Sequence, residues 1–169
     1  MARGPRLDTQ SMRRILAIAA LAFLMVAGRS TPASADITGF LCVSPTPGRH
    51  NGTGGSIGMG LIIVGVEFEY ARLKEDQNAA IPGLATGMAN VLVQTPTKIQ
   101  IYATTGFGFF SEGFRGTSTR GLGSNIGGGV KVPLMGPLKL RLDYRVYQFK
   151  GDPLYKNPKR FYGGVSVAF

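Results

Sequence analysis

"PLKLRLDYRVYQFK" (137–150) alternates almost without fault. Leu138, Leu140, Leu142, Tyr144 and Val146 point one way. Lys139, Arg141, Asp143 and Arg145 point the other. Successive side chains of a strand face opposite sides, so this is a β-strand with one oily face and one charged face. In a water-soluble sheet the oily face is buried. In a barrel set in a bilayer the oily face is outside and the charges fill the lumen.

The same alternation, bounded by turn residues, predicts about eight strands: 37–45, 56–62, 64–73, 85–95, 98–112, 121–132, 137–149 and 160–169. "GLIIVGVEF" carries no turn signal near Ile63. One bent strand over 56–73 would reduce the count to seven. The predicted connections alternate in length. Short ones fall at Ile63, at Pro96-Thr97 and from Pro133 to Gly136. Long polar ones cover 46–55, 74–83, 113–121 and 150–159. Transmembrane barrels have this asymmetry, with tight turns at one end and longer loops at the other.

The bulk numbers agree with strands of this kind. Charged residues are 17% of the chain, below the roughly 25% of soluble domains. Every apolar run after Asp36 is broken by Gly, Pro or charge, so any membrane crossing is made by strands. The start reads differently. Arg3, Arg6, Arg13 and Arg14 precede the apolar run 15–28, and the segment ends in Ala33-Ser34-Ala35. This is the pattern of a secretory signal peptide cleaved after Ala35, leaving 36–169 as the barrel domain. From Asp36 onward 14 Lys+Arg stand against 8 Asp+Glu. No positive stripe interleaves with stacking aromatics, so nucleic acid is not the expected partner. Cys42 is the one cysteine and has no disulfide mate.

Two features of the polar faces favour oil outward. They are rich in Gly, Ala and Ser, as in Gly127, Gly129, Gly164 and Ser166. Glycine weakens a water-facing strand for no gain, whereas inside a narrow barrel it makes room for larger neighbours. The charges also nearly cancel: Glu67, Glu69 and Asp143 against Lys131, Lys139, Arg141 and Arg145. Buried charges have to be paired. Facing lipid, each Lys or Arg would cost about 2–4 kcal/mol at mid-depth. These seven residues are the expected lumen network. Tyr147 and Phe149 break the outward parity of their strand, which predicts a bulge or emergence above the bilayer there.

The signal peptide, the alternating strands over 37–169 and the ending "FYGGVSVAF" together resemble the small bacterial outer-membrane β-barrels of the OmpA/OmpX type. Val165, Val167 and the terminal Phe169 resemble the C-terminal signal read by the barrel-assembly machinery. The resemblance implies an eight-stranded antiparallel up-and-down barrel, monomeric, among outer-membrane lipids and lipopolysaccharide. It implies a structural, adhesive or loop-displaying role. A barrel of eight strands is filled by its own side chains and is not a general pore. Lys150, Lys156, Lys159 and Arg160 are candidates for contact with head groups.

Other readings are weaker. A lipid A-modifying barrel enzyme needs a Ser and a His near an orienting carboxylate. His50, read as a solvated loop residue, has only Ser56 and Ser111 as candidate partners. "GLGSNIGGGV" (121–130) precedes no helix and so is not a phosphate loop. No metal or cofactor site is expected. A soluble lipocalin-like periplasmic carrier would require the opposite facing, with an apolar interior.

Overall fold

A computed structural model describes residues 34–46, 48–76 and 79–169. The predicted signal peptide lies outside the described residues, apart from Ser34 and Ala35, which open the first strand. Eight strands follow in order: β1 (Ser34–Ser44), β2 (His50–Gly60), β3 (Val64–Leu73), β4 (Gly83–Gln94), β5 (Gln100–Phe114), β6 (Thr117–Pro133), β7 (Leu138–Phe149) and β8 (Lys159–Ala168). Each pairs antiparallel with the next, and β8 pairs with β1, closing the barrel. Closure leaves no sheet edge. The seam runs from Asp36 opposite Ala168 to Val43 opposite Phe161, and in the uncleaved chain Ala35 and Phe169 add two backbone hydrogen bonds of 2.9 Å.

The chain does turn at Ile63. Leu61 N–H donates to Val64 O at 2.8 Å, and Gln94 N–H to Ile63 O at 2.7 Å. Backbone bonds make this turn without Gly or Pro, which is why the sequence does not announce it.

Two predicted long loops prove to be largely strand. Residues 50–55 belong to β2, and 117–121 belong to β6. The connection between β5 and β6 is only Arg115-Gly116, with φ of 49° and 85°. Two positive φ values are the signature of a type I′ hairpin, whose twist matches the flanking strands. Asymmetry between the barrel ends is therefore carried partly by strand length. β5 and β6, of 15 and 17 residues, rise well beyond the shorter strands. Only 74–82 and 150–158 remain long loops at that end.

The facing is the inverse of a soluble protein. Phe107 is 74% exposed, Leu122 69% and Ile101 62%, while Arg145 is 0% and Glu67 2% exposed. Leu142 points out and its neighbours Arg141 and Asp143 point in. The lipocalin-like alternative fails here, because the middle of the lumen is ionic. The register runs without a bulge through every strand pair. Tyr147 and Phe149 are thus neither bulged nor emergent. They point into the lumen and are buried.

Small residues on the inner wall leave space for large ones. A Cβ on Gly129 would lie 2.5 Å from the Tyr102 hydroxyl, and one on Gly127 would lie 2.7 Å from Arg145 Cγ and 2.2 Å from Tyr144 O. A Cβ on Gly54 would meet the Phe40 ring at 2.5 Å. Gly127→Val is expected to lower stability by about 1–3 kcal/mol through overpacking. Gly39→Ala, where a Cβ meets nothing within 4 Å, is expected to leave it unchanged. Urea unfolding of the barrel in lipid vesicles reads both.

Candidate functional site

The lumen is the place where chemistry-bearing residues converge. β7 supplies three inward bases, Lys139, Arg141 and Arg145, at every second or fourth position. Their cross-strand neighbours aggravate the charge. Lys131 on β6 is opposite Arg141, and Arg160 on β8 is opposite Arg145. Like charges directly opposite are destabilising. Acids from elsewhere in the barrel offset them: Glu67 and Glu69 from β3, Asp36 from β1 and Asp143 from β7 itself.

At mid-height Arg141 pairs with Glu67 and, at 2.9 Å, with Asp143. Arg145 Nη2 is 2.9 Å from both Glu67 Oε1 and Asp143 Oδ2, and its Nη1 is 2.8 Å from Glu69 Oε2. Tyr102 donates its hydroxyl proton to Asp143 Oδ2 at 2.7 Å and accepts from Arg141 Nε at 2.8 Å. Ser56 donates to Glu67 Oε2 at 3.1 Å. Charge-assisted bonds of this kind are the strong ones. They brace β3 against β7 through the interior.

Nearer the loop end, the hydroxyls of Tyr147 and Tyr162 lie 3.1 and 3.0 Å from Glu69 Oε1. Arg160 packs 4.5 Å from the Tyr147 ring centroid and donates from Nη1 to Thr86 Oγ1 at 3.0 Å. Phe110 and Phe149 then stack at 4.2 Å, and with Leu73 and Leu84 they make an apolar cap. At the turn end Lys131 pairs with Asp36, and Lys139 donates to Gln100 Oε1 at 3.3 Å. A polar recess of about 40 Å³ lies between them.

Several expected placements change. Lys131 and Lys139 face the lumen but stand apart from the cluster of Glu67, Glu69, Arg141, Asp143 and Arg145. Asp36 and Arg160 face the lumen as well, so it holds four acids and five bases below the cap rather than three and four. Arg160 is no head-group residue, since it is 1% exposed. Lys150, Lys156 and Lys159 are exposed at the loop end. Val165, Val167 and Phe169 face outward on β8 and just past it. His50 is buried, not solvated. It opens β2, with Nδ1 2.8 Å from Gly48 O. Ser56 is on Glu67 in the lumen, and Ser111 faces Ser118 on the outer wall, so no triad forms from these three. No cluster of three or more metal-ligating groups occurs among the described residues.

Sequence reading missed Arg160 because Lys159 beside it is polar too, and the loop was read one residue long. The parity of Phe161, Val165 and Val167 already places Arg160 inward. Tyr102 and Tyr162 share the inward parity of Gln100 and Gly164, but their hydroxyl partners come from strands far away in sequence.

Removing one member of a buried ion pair leaves the others uncompensated, at about 3–5 kcal/mol. Arg145→Leu is expected to lose that much in urea unfolding. Lys139→Leu, which has no carboxylate partner among the described residues, is expected to lose under about 1 kcal/mol.

No family model matches the sequence, and no curated protein is similar to it. Solved structures are similar in shape. The N-terminal β-barrel domain of OprF from Pseudomonas aeruginosa aligns with TM-score 0.60 at 20% identity, covering 80% of this chain and 97% of that one. Neisserial surface protein A aligns at 0.56 and 16%, covering 80% and 94%. Ail, the attachment invasion locus protein of Yersinia pestis, solved with the heparin analogue sucrose octasulfate, aligns at 0.54 and 11%, covering 82% and 100%. The closed, all-antiparallel, eight-stranded barrel of this chain is the fold of these small outer-membrane barrels.

Proposed function

We propose that the chain is an exported, monomeric outer-membrane barrel that anchors and displays its loop end, with a structural or adhesive role and no catalytic one. The inverted facing carries this reading. An apolar belt encircles the outside, from Val64 and Ile101 up to Tyr70, Phe109 and the aromatic pair Tyr144 with Phe161. Aromatic residues at the edges of an apolar band are the mark of the bilayer interface. Lipid then replaces the partner that such a belt would need in water.

The lumen network makes the barrel a solid pillar. Solute passage would have to part the Arg145 cluster and the Phe110–Phe149 cap together. Val165, Val167 and Phe169, exposed beside the β8–β1 seam, suit a strand that is handed last from the assembly machinery to its partner strand. Lys150, Lys156 and Lys159 lie where outer-leaflet phosphates would be, and attract them by about 1 kcal/mol each.

Fractionation tests the placement. The chain expressed with its leader is expected to sediment with membranes, to begin at Asp36 and to migrate faster on gels when unheated. Recovery in the soluble fraction without detergent would overturn the reading. In planar bilayers the folded barrel is expected to give no sustained conductance steps, and regular open-channel events would sink the plugged lumen.

A further inference from the structure

The outer wall is not uniformly covered. Over β2–β5 it is hollowed, with a groove of about 710 Å³. Gly55 and Ala89 form its floor, the Phe109 ring lies over Gly87, and Phe68 and Phe107 stand around it. The register explains the hollow. One outward row runs Gly39, Gly55, Tyr70, Gly87, Phe109 through successive strands, alternating absent side chains with aromatic rings. The next row towards the turn end runs Ile37, Ile57, Phe68, Ala89, Phe107.

A second recess of about 500 Å³ opens towards the loop end, and Tyr70 lines both. Its lining is mixed: Thr53, Arg72, Lys74, Glu75 and Ser111 stand among Tyr70, Leu84 and Ala85. Arg72 is two residues beyond Tyr70 on β3 and faces outward, and Lys74 follows. Neither has a carboxylate partner among the described residues. Glu75 accepts from the Arg115 backbone N–H at 3.1 Å across the loops. An apolar trough therefore runs up to two free cations, with a tyrosine at the junction.

We propose that this face docks one phosphate-bearing lipid, its phosphate on Arg72 and Lys74 and an acyl chain laid in the trough between Phe68 and Phe109. The proposal rests on the membrane placement above and names the ligand of a face remote from Lys156 and Lys159. A chain in the trough covers Gly55 and Ala89, where the belt is otherwise thin. Two Lys/Arg contacts at a membrane surface correspond to about 30-fold in affinity.

Native mass spectrometry of the full barrel in detergent, with added bis-phosphorylated lipid A, tests it. Retention of one lipid is expected. It should fall about 30-fold in R72A/K74A, fall in Ala89→Leu, which fills the trough, and stay unchanged in K156A/K159A. Equal retention in R72A/K74A would overturn the site. So would equal retention of the dephosphorylated lipid, or displacement by inorganic phosphate alone. The unheated gel shift reports folding of each variant, and R72Q/K74Q replaces any that fails it. A barrel that folds and sediments with membranes yet retains no lipid refutes this site alone. A barrel that never enters the membrane refutes the placement.

Discussion

The structure depends on the cancellation of charge around Arg145. Its strand carries bases on the inner face, and the next strand sets Arg160 directly opposite. A closed barrel of this width keeps bulk water from both guanidinium groups, which are 0% and 1% exposed. Glu69 resolves the conflict. It takes Arg145 directly at 2.8 Å and reaches the Arg160 region through the hydroxyls of Tyr147 and Tyr162. Glu67 and Asp143 complete the ring about Arg145. Because Glu67 and Glu69 come from β3 while Arg141 and Arg145 come from β7, the network forms only when β3 and β7 are both placed. It selects one register as well as filling space.

That network constrains the inner wall around it. Large side chains inside require small wall residues beside them, hence Gly127 beside Arg145 and Gly129 beside Tyr102. A strand with so many glycines gains little from intrinsic β-propensity. What holds it is the closed ladder of backbone bonds, which has most value where no water competes. The apolar exterior and the glycine-rich ionic interior are thus two consequences of one arrangement.

How legible this was varies with height along the barrel. Within the belt, alternation of oily and polar positions marks each strand, and β3, β5, β7 and β8 are recognisable from it alone. Above the belt the outer face turns polar, so the alternation vanishes while pairing continues. That is why 50–55 and 117–121 read as loops although they are strand. Arg115-Gly116 lacks the usual Asn-Gly or Asp-Gly and hid a tight hairpin. Inside, each charged position on β3 and β7 was legible by parity. Which acid meets which base was not, since Glu67 is 74 and 78 residues from its two arginines and meets them only after closure. Tyr147 and Phe149 looked like errors of parity because aromatics were assigned to the outside. The cap at the loop end needs them inside.

The extension of pairing above the belt changes what the loop end is. Had residues 113–121 been a nine-residue loop, that segment would sample many conformations, and a partner would pay to order it. Instead β5 and β6 continue as a twisted ribbon to a two-residue turn, carrying Ser111, Ser118 and Arg120 on fixed bonds. The loop 150–158 is tied to the same ribbon, for Leu154 N–H donates to Glu112 Oε2 at 2.7 Å. Glu75 holds the neighbouring loop to Arg115. Two of the other three connections at this end are therefore cross-linked to this hairpin. The end above the belt is thus held by strand pairing and by these cross-links, and a partner docking there would have little of the barrel left to order.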